Sequence, residues 1–395
     1  MQRGAPLVAA SLALVGVAAL GAHVSPGFAA SAPPGPAGPA GPARLPRLAT
    51  PAELAPRDHF TFLVYGDNRD RDEDHRRVVQ AMLGGPADLL IHTGDMTGDG
   101  GDDGLWRRFL DIEAPLLATA PLYAALGNHE FLHDPTAAHF HHYIPLPDGA
   151  EPKSDPRWYR FRFGNALFIA LDGTHSRDHA QHDFLERALV EADRDPSIRH
   201  KFVFFHQPPF AAGDMCGSAA EQGLWVPEFA HHGVRAVFTG HDHAYERLER
   251  DGIRYFVSGG GGAPLHHESA HCPRYDREAL RKFVATHHFL RVRVNGSEVT
   301  LDAIATSGEV IDHVRLDAPA EKGPTPPPVP FQDPSPHGPQ MIDARMNPRL
   351  SDGVRADQFP IPSAAPRGSI AALVAFFGIV MMVGIGLVVI VRKLK

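Results

Sequence analysis

Cysteine is scarce in this 395-residue chain: only Cys216 and Cys272 occur, enough for one disulfide at most. Outside the cytoplasm such a pair is usually bonded, but sequence alone cannot judge the geometry, and the pairing stays open. A basic excess is missing too. Charged residues make up 21% and the net charge is −8, which argues against a nucleic-acid-binding face. The acidic excess is mild and is accounted for by solubility. Neither a P-loop nor a serine on a strand-to-helix elbow is present to indicate the reactions those motifs serve. Long apolar runs are confined to the two ends.

Those ends read as targeting and anchoring segments. Residues 1–32 have the form of a secretory signal, with Arg3, an apolar stretch from Leu7 to Leu20, and small residues at Ala29, Ala30 and Ala32. From Ile370 to Val391 run 22 uncharged residues. As a helix they would cover roughly 33 Å, against a hydrocarbon core of about 30 Å. Arg392, Lys393 and Lys395 come next, so the positive-inside rule keeps that tail in the cytoplasm. The expectation is a single-pass protein of the cell membrane, anchored through 370–391 within a segment 369–395, with its main domain extracytoplasmic.

Proline-rich stretches at 33–57 and 319–368 lack periodic apolar pattern and read as extended spacers. Residues 58–318 remain as one large domain. Short apolar runs at 60–65, 88–93, 122–126, 201–205, 235–239 and 254–258 predict buried strands. Helical pattern intervenes at about 75–83, 103–112, 181–193 and 221–231, so an α/β domain is expected. Residues 289–316 read as antiparallel hairpins turning at Asn295-Gly296 and Ser307-Gly308. Two packed β-sheets flanked by helices is the predicted architecture, with one C-terminal transmembrane helix.

The residues just beyond the strands carry the chemistry. Gly66-Asp67-Asn68-Arg69 comes after the first run, Gly94-Asp95 after the second, and Gly127-Asn128-His129-Glu130 after the third. His206 comes after the fourth, and Gly240-His241-Asp242-His243 after the fifth. Strand ends are where such folds build sites. Carboxylate, amide and imidazole donors in this number suit a pair of Mn, Fe or Zn ions. Singly, each residue has a commonplace role: Asp95 in a turn, Asn128 as a cap, His206 as a satisfied core histidine. It is their joint placement that points to a metal site.

These motifs resemble those of the calcineurin-like metallophosphoesterase superfamily, most specifically GNHE at 127–130 and GHDH at 240–243. The likeness covers about 58–318, and GHDHAYER (240–247) with SGGGGAP (258–264) leans toward the purple-acid-phosphatase-like branch. The resemblance implies a double-sheet sandwich and two divalent or mixed-valence ions. Asp67 and His243 would serve the first ion, Asp95 would bridge, and Asn128, His206 and His241 would serve the second. His129 would contact the phosphate or leaving group, with Asp99 as a candidate to orient it.

Two departures matter. Arg69 stands where the superfamily usually has a further ligand, and Gly98 where purple enzymes have a tyrosine, so a purple colour is not expected. His75 and Asp99 are candidate replacements for the missing ligand, and Arg69 is a candidate phosphate clamp. The implied reaction is hydrolysis of phosphomonoesters on a small molecule or polymer by a metal-activated hydroxide. Diester hydrolysis of nucleotides, lipids or wall polymers is the second reading, and a catalytically impaired binding ectodomain the third. His266, His267, His271, His287 and His288 have no assignable role.

Overall fold

The structure, a computed structural model, describes residues 45–153 and 155–316. The predicted signal, the spacer from 319 and the 370–391 span lie outside the described residues. Among the described residues no helix is long and apolar enough to cross a membrane.

The chain begins with β1 (His59–Tyr65), α1 (Asp72–Met82), β2 (Leu89–His92), α2 (Asp103–Leu117), β3 (Leu122–Ala124) and α3 (Ala138–Tyr143). A hairpin of β4 (Tyr159–Phe163) and β5 (Ala166–Ala170) leads to α4 (His179–Arg194) and β6 (His200–Phe204). Then come α5 (Ala219–Leu224), α6 (Val226–His231), β7 (Ala236–Thr239), β8 (Tyr245–Arg250), β9 (Ile253–Ser258), α7 (Arg274–Ala279) and β10 (Leu280–Val284). The last strands are β11 (His288–Asn295), β12 (Glu298–Ala305) and β13 (Val310–Arg315).

They form two mixed sheets. One has the order β13-β12-β11-β1-β2-β3, the other β10-β8-β9-β7-β6-β5-β4. In the first sheet β1, β2 and β3 run parallel, so their carboxyl ends share one edge. In the second sheet β5, β6, β7 and β9 do the same.

Strand alternation explains the layers. Phe62 and Val64 of β1 face the second sheet and pack among Phe168, Phe202, Phe204, Phe238 and Phe256. Leu63 and Tyr65 face the other way, onto α1 and α2. In β6 and β7 the split repeats: Val203 and Val237 turn to the layer containing α4 and α6. On α2, Trp106, Phe109, Leu110, Glu113, Leu116 and Leu117 recur at helical spacing and are all buried. Asp102 caps that helix by accepting from Gly104 N at 2.8 Å and Leu105 N at 3.2 Å.

Some expectations change. Residues 45–57, assigned to a spacer, lie against the domain: Leu48 and Leu54 pack on the core, and Leu122 N donates to Arg47 O at 3.0 Å. The helix expected over 221–231 is two helices. Pro227 stands at the start of the second, and its ring and missing N–H prevent the first from continuing. The β4–β5 hairpin is absent from the predicted runs, although Tyr-Arg-Phe-Arg-Phe alternates over Tyr159–Phe163 and Gly164-Asn165 supplies a two-residue turn.

Candidate metal centre

The two sheets deliver their donors to one place. Asp67 lies just after β1, Asp95 after β2, and Asn128-His129 after β3. From the second sheet His206 lies after β6, while His241 and His243 lie in the loop after β7. Ligand atoms of Asp67, Asp95 and His206 all lie within 4.8 Å of one another. Asp67, Asp95 and His241 each take φ near +60°, at 61°, 57° and 69°. That region is costly for residues with a side chain, and its use by three donors is the kind of local strain found at functional sites.

Close packing leaves room for glycine alone at two positions. A Cβ on Gly127 would stand 2.2 Å from Asp95 Oδ1, and one on Gly240 would stand 2.2 Å from Asp67 Oδ2. The backbone therefore wraps the carboxylates directly.

Asp95 is the hub. Its Oδ1 accepts from His129 N at 3.0 Å and lies 3.3 Å from His206 Nε2. Its Oδ2 accepts from Arg69 Nε at 3.3 Å and lies 3.8 Å from His129 Nε2. Burial pushes its pKa up, but His206, His129 and Arg69 outweigh that and hold it well below the usual carboxylate range. Asp67 accepts from His241 N at 3.1 Å, and its Oδ1 lies 3.5 Å from His243 Nε2.

The imidazoles are set by backbone carbonyls. His206 Nδ1 donates to Thr93 O at 3.0 Å, and His243 Nδ1 donates to Pro264 O at 2.7 Å. Each ring thereby turns its Nε2 toward the carboxylates, the atom that would ligate a metal once free of its proton. Burial works to lower the pKa of His206, yet Asp95 and Asp67 raise it to about 9. His241, whose Nδ1 is 3.2 Å from His206 Nε2, is lowered well below the ordinary range by burial and by His206.

Whether the residues present fit metal ions is tested by Asn128. Its Oδ1 is buried without a hydrogen-bond partner. An orphaned buried amide oxygen is costly, and a cation among the donors would satisfy it. Together with two carboxylates and three imidazoles it makes a donor set that fits borderline divalent ions.

Several candidate residues fall elsewhere. Asp99 does not orient His129. That imidazole donates Nδ1–H to Gly98 O at 2.8 Å, while Asp99 Oδ2 lies 2.7 Å from Nδ1 of exposed His133. His75 is no ligand in this arrangement: its Nε2 lies 2.7 Å from Glu113 Oε1, inside the layer between β1 and α2. Where a side chain at Gly98 would begin, Asp70 Oδ1 stands 2.5 Å away. Arg69 is at the centre and 7% exposed; its Nη2 donates to His243 Nε2 at 3.2 Å and its Nη1 to Asp70. Burial disfavours its charge, but Asp95, Asp70 and Asp67 raise its pKa, so it stays cationic.

Three supporting residues carry no assignment from sequence. Glu130 accepts from Asp95 N, Met96 N and Gly127 N at 2.8, 2.8 and 2.7 Å, tying the second and third motifs together. Its charge is visible in GNHE; its partners are not. Asn68 Oδ1 lies 2.6 Å from His92 Nε2, fixing the turn after β1. His266 stacks on His243 with ring centroids 4.0 Å apart, and its Nδ1 lies 2.9 Å from Asp242 Oδ1. Cys216 and Cys272 are disulfide-bonded and join the loop after His206 to the segment carrying His266.

A fold of two parallel-edged sheets with this ordered donor set defines a class, and similarity to known proteins agrees. The calcineurin-like phosphoesterase family model matches residues 60–245. Over these residues the chain is similar to the calcineurin-like phosphoesterases, and purple acid phosphatases are among its relatives. It is 25% identical over 240 residues to a purple acid phosphatase of Glycine max, covering 56% of this chain and 51% of that protein. To the Fe(3+)-Zn(2+) purple acid phosphatase 12 of Arabidopsis thaliana it is 25% identical over 244 residues, covering 56% and 50%. The purple acid phosphatase PPD1 of Lupinus luteus shares the fold with a TM-score of 0.54 at 18% identity, over 65% of this chain and 53% of that one. The chain thus spans about half the length of the curated relatives it matches.

Proposed function

We propose that the domain hydrolyses phosphoesters, phosphomonoesters first among them, with two divalent or mixed-valence ions at Asp67, Asp95, Asn128, His206, His241 and His243. The observation that carries this reading is the convergence of Asp67, Asp95 and His206 from three strand ends on one buried point, with His129, His241 and His243 against them. The curated relatives support it: both are named phosphatases, and the Arabidopsis protein is named for iron and zinc. Bound here, such ions would supply Lewis acidity and an activated water near neutral pH.

The chain's own residues do the rest. Glu130 and the glycine wraps hold the Asp95 carboxylate rigid through backbone N–H groups. His129, anchored through Nδ1 to Gly98 O, presents Nε2 on the side of Asp95 Oδ2. Burial lowers its pKa, so Nε2 carries a lone pair at rest and is the atom through which a proton would pass to the leaving oxygen. Arg69, which stays cationic, adds positive charge beside the site, where negative charge accumulates during phosphoryl transfer.

The reading extends to place: a signal at 1–32 and a span at 370–391 would set the enzyme outside the membrane. A panel of phosphomonoesters and phosphodiesters, assayed with the full chain after reloading with Mn, Fe or Zn, tests the chemistry. Monoester turnover abolished by chelation is the expected result. Preference for diesters would replace the substrate class, and no turnover with full metal content would favour a binding role. External protease should shed the domain from intact cells by cutting within 319–368, and protection would reverse the topology.

A further inference from the structure

We propose that Arg69 makes the two metal positions unequal. One ion is held tightly by Asp95, Asn128, His206 and His241; the other, at Asp67, Asp95 and His243, enters only by displacing the guanidinium. The inference rests on the metal-centre reading above and concerns how that centre loads.

The reason lies in the lone pairs. His243 donates Nδ1–H to Pro264 O at 2.7 Å, so its Nε2 is an acceptor, and Arg69 Nη2 donates to it at 3.2 Å. Asp95 Oδ2 accepts from Arg69 Nε at 3.3 Å. Two of the donor atoms that would hold the first ion are therefore already bound to a cation. That cation is 7% exposed, and its contacts with the carboxylates are little screened by water.

The second position differs in each respect. Asn128 Oδ1 has no partner. His206 Nε2 faces other prospective ligands, Asp95 Oδ1 at 3.3 Å and His241 Nδ1 at 3.2 Å, rather than a cation. On the open side of Arg69, Asp70 is half-exposed and already takes Nη1, so the displaced guanidinium keeps an anionic partner there. An ion arriving at the first position must outcompete a hydrogen-bonded, like-charged group. An ion at the second has no guanidinium to displace.

Calorimetric titration of the metal-free full chain with Zn or Mn ions tests this, with metal equivalents counted after gel filtration. The parent should bind in two steps whose dissociation constants differ by about tenfold or more. Arg69→Ala and Arg69→Gln should tighten the weaker step by about tenfold to a hundredfold, the range of a charge-assisted hydrogen bond, and leave the tighter step in place. The Gln variant keeps much of the side-chain bulk, and an unchanged circular dichroism spectrum certifies the fold of each. His241→Ala should remove the tight step and spare the weak one. Two equal steps in the parent, or unchanged spacing in both Arg69 variants, would overturn the inference while leaving the metal centre standing. A folded parent that takes up no ion would bring down the metal-centre reading, and this inference with it.

Discussion

The two sheets contribute opposite chemistry to one edge. Strands β1, β2 and β3 deliver carboxylates, an amide and His129, whereas β6 and β7 deliver imidazoles alone. The first group is braced by N–H donors: Glu130 gathers three backbone amides around Asp95, and His241 N donates to Asp67. The second is braced by acceptors, with Thr93 O on His206 and Pro264 O on His243. The difference teaches why neither half suffices. Carboxylates need positive neighbours to stay ionised when buried, and imidazoles need a fixed tautomer to offer a lone pair. Packing one sheet on the other places each half's requirement in reach.

Asp95 touches donors of both halves, His129 and His206, so Asp95→Asn should break the comparison hardest. Catalytic efficiency should fall by at least about a thousandfold, with most of the metal lost on gel filtration. Full metal retention in this variant would show that Asp95 does not serve both positions. Next in size is Phe238→Ala, which acts on the docking of the sheets themselves. Phe238 lies between Phe62 of the first sheet and Phe202 and Phe256 of the second, at 5.9, 6.1 and 5.8 Å between ring centroids. Its loss should cost about 3–5 kcal/mol in urea unfolding. A cost below about 1 kcal/mol would mean that the sheets can close the gap.

His129→Ala sharpens the comparison within the first sheet. It should lower kcat about a hundredfold and leave metal content unchanged, which separates His129 from the proposed ligand His206. Loss of an ion in that variant would make His129 a ligand. The smallest expected effect concerns buried carboxyls on the flanking helices. Glu113 under the first sheet bonds His75 and Tyr65 through its two oxygens. Glu221, on the second sheet's side, has Oε2 without a partner, and burial pushes its pKa up to about 7. The folded state therefore holds the Glu221 proton more tightly than the unfolded chain does. Its contribution is full below about pH 4.5 and is lost as pH climbs through about 7, to a total of at most about 3 kcal/mol. Glu221→Gln should flatten that slope in melts between pH 4.5 and 8.5, and an unchanged slope would place the proton elsewhere.

Much of the fold and site is legible in the sequence because the donors sit immediately after apolar runs, where a one-dimensional pattern and a three-dimensional edge coincide. Asp67, Asp95, Asn128, His206, His241 and His243 all stand out on that basis, and the sandwich rests on the same runs. The features that escape depend on contacts distant in sequence. Asp99 looks like a partner for His129, but the carbonyl of Gly98 is nearer and Asp99 turns to His133. His75 has a ligand's side chain but faces Glu113, 38 residues away on α2. Arg69 is a visible departure from the superfamily pattern, yet only the structure gives its contacts to Asp95 and His243, on which the proposed competition rests.

The most direct test of the central claim is anomalous diffraction from crystals of the protein as purified, read at the Mn, Fe and Zn absorption edges. We expect a strong peak among Asp95, Asn128, His206 and His241 and a weaker one among Asp67, Asp95 and His243. Anomalous signal confined to surface histidines such as His133, with none at Asp95, would contradict the account.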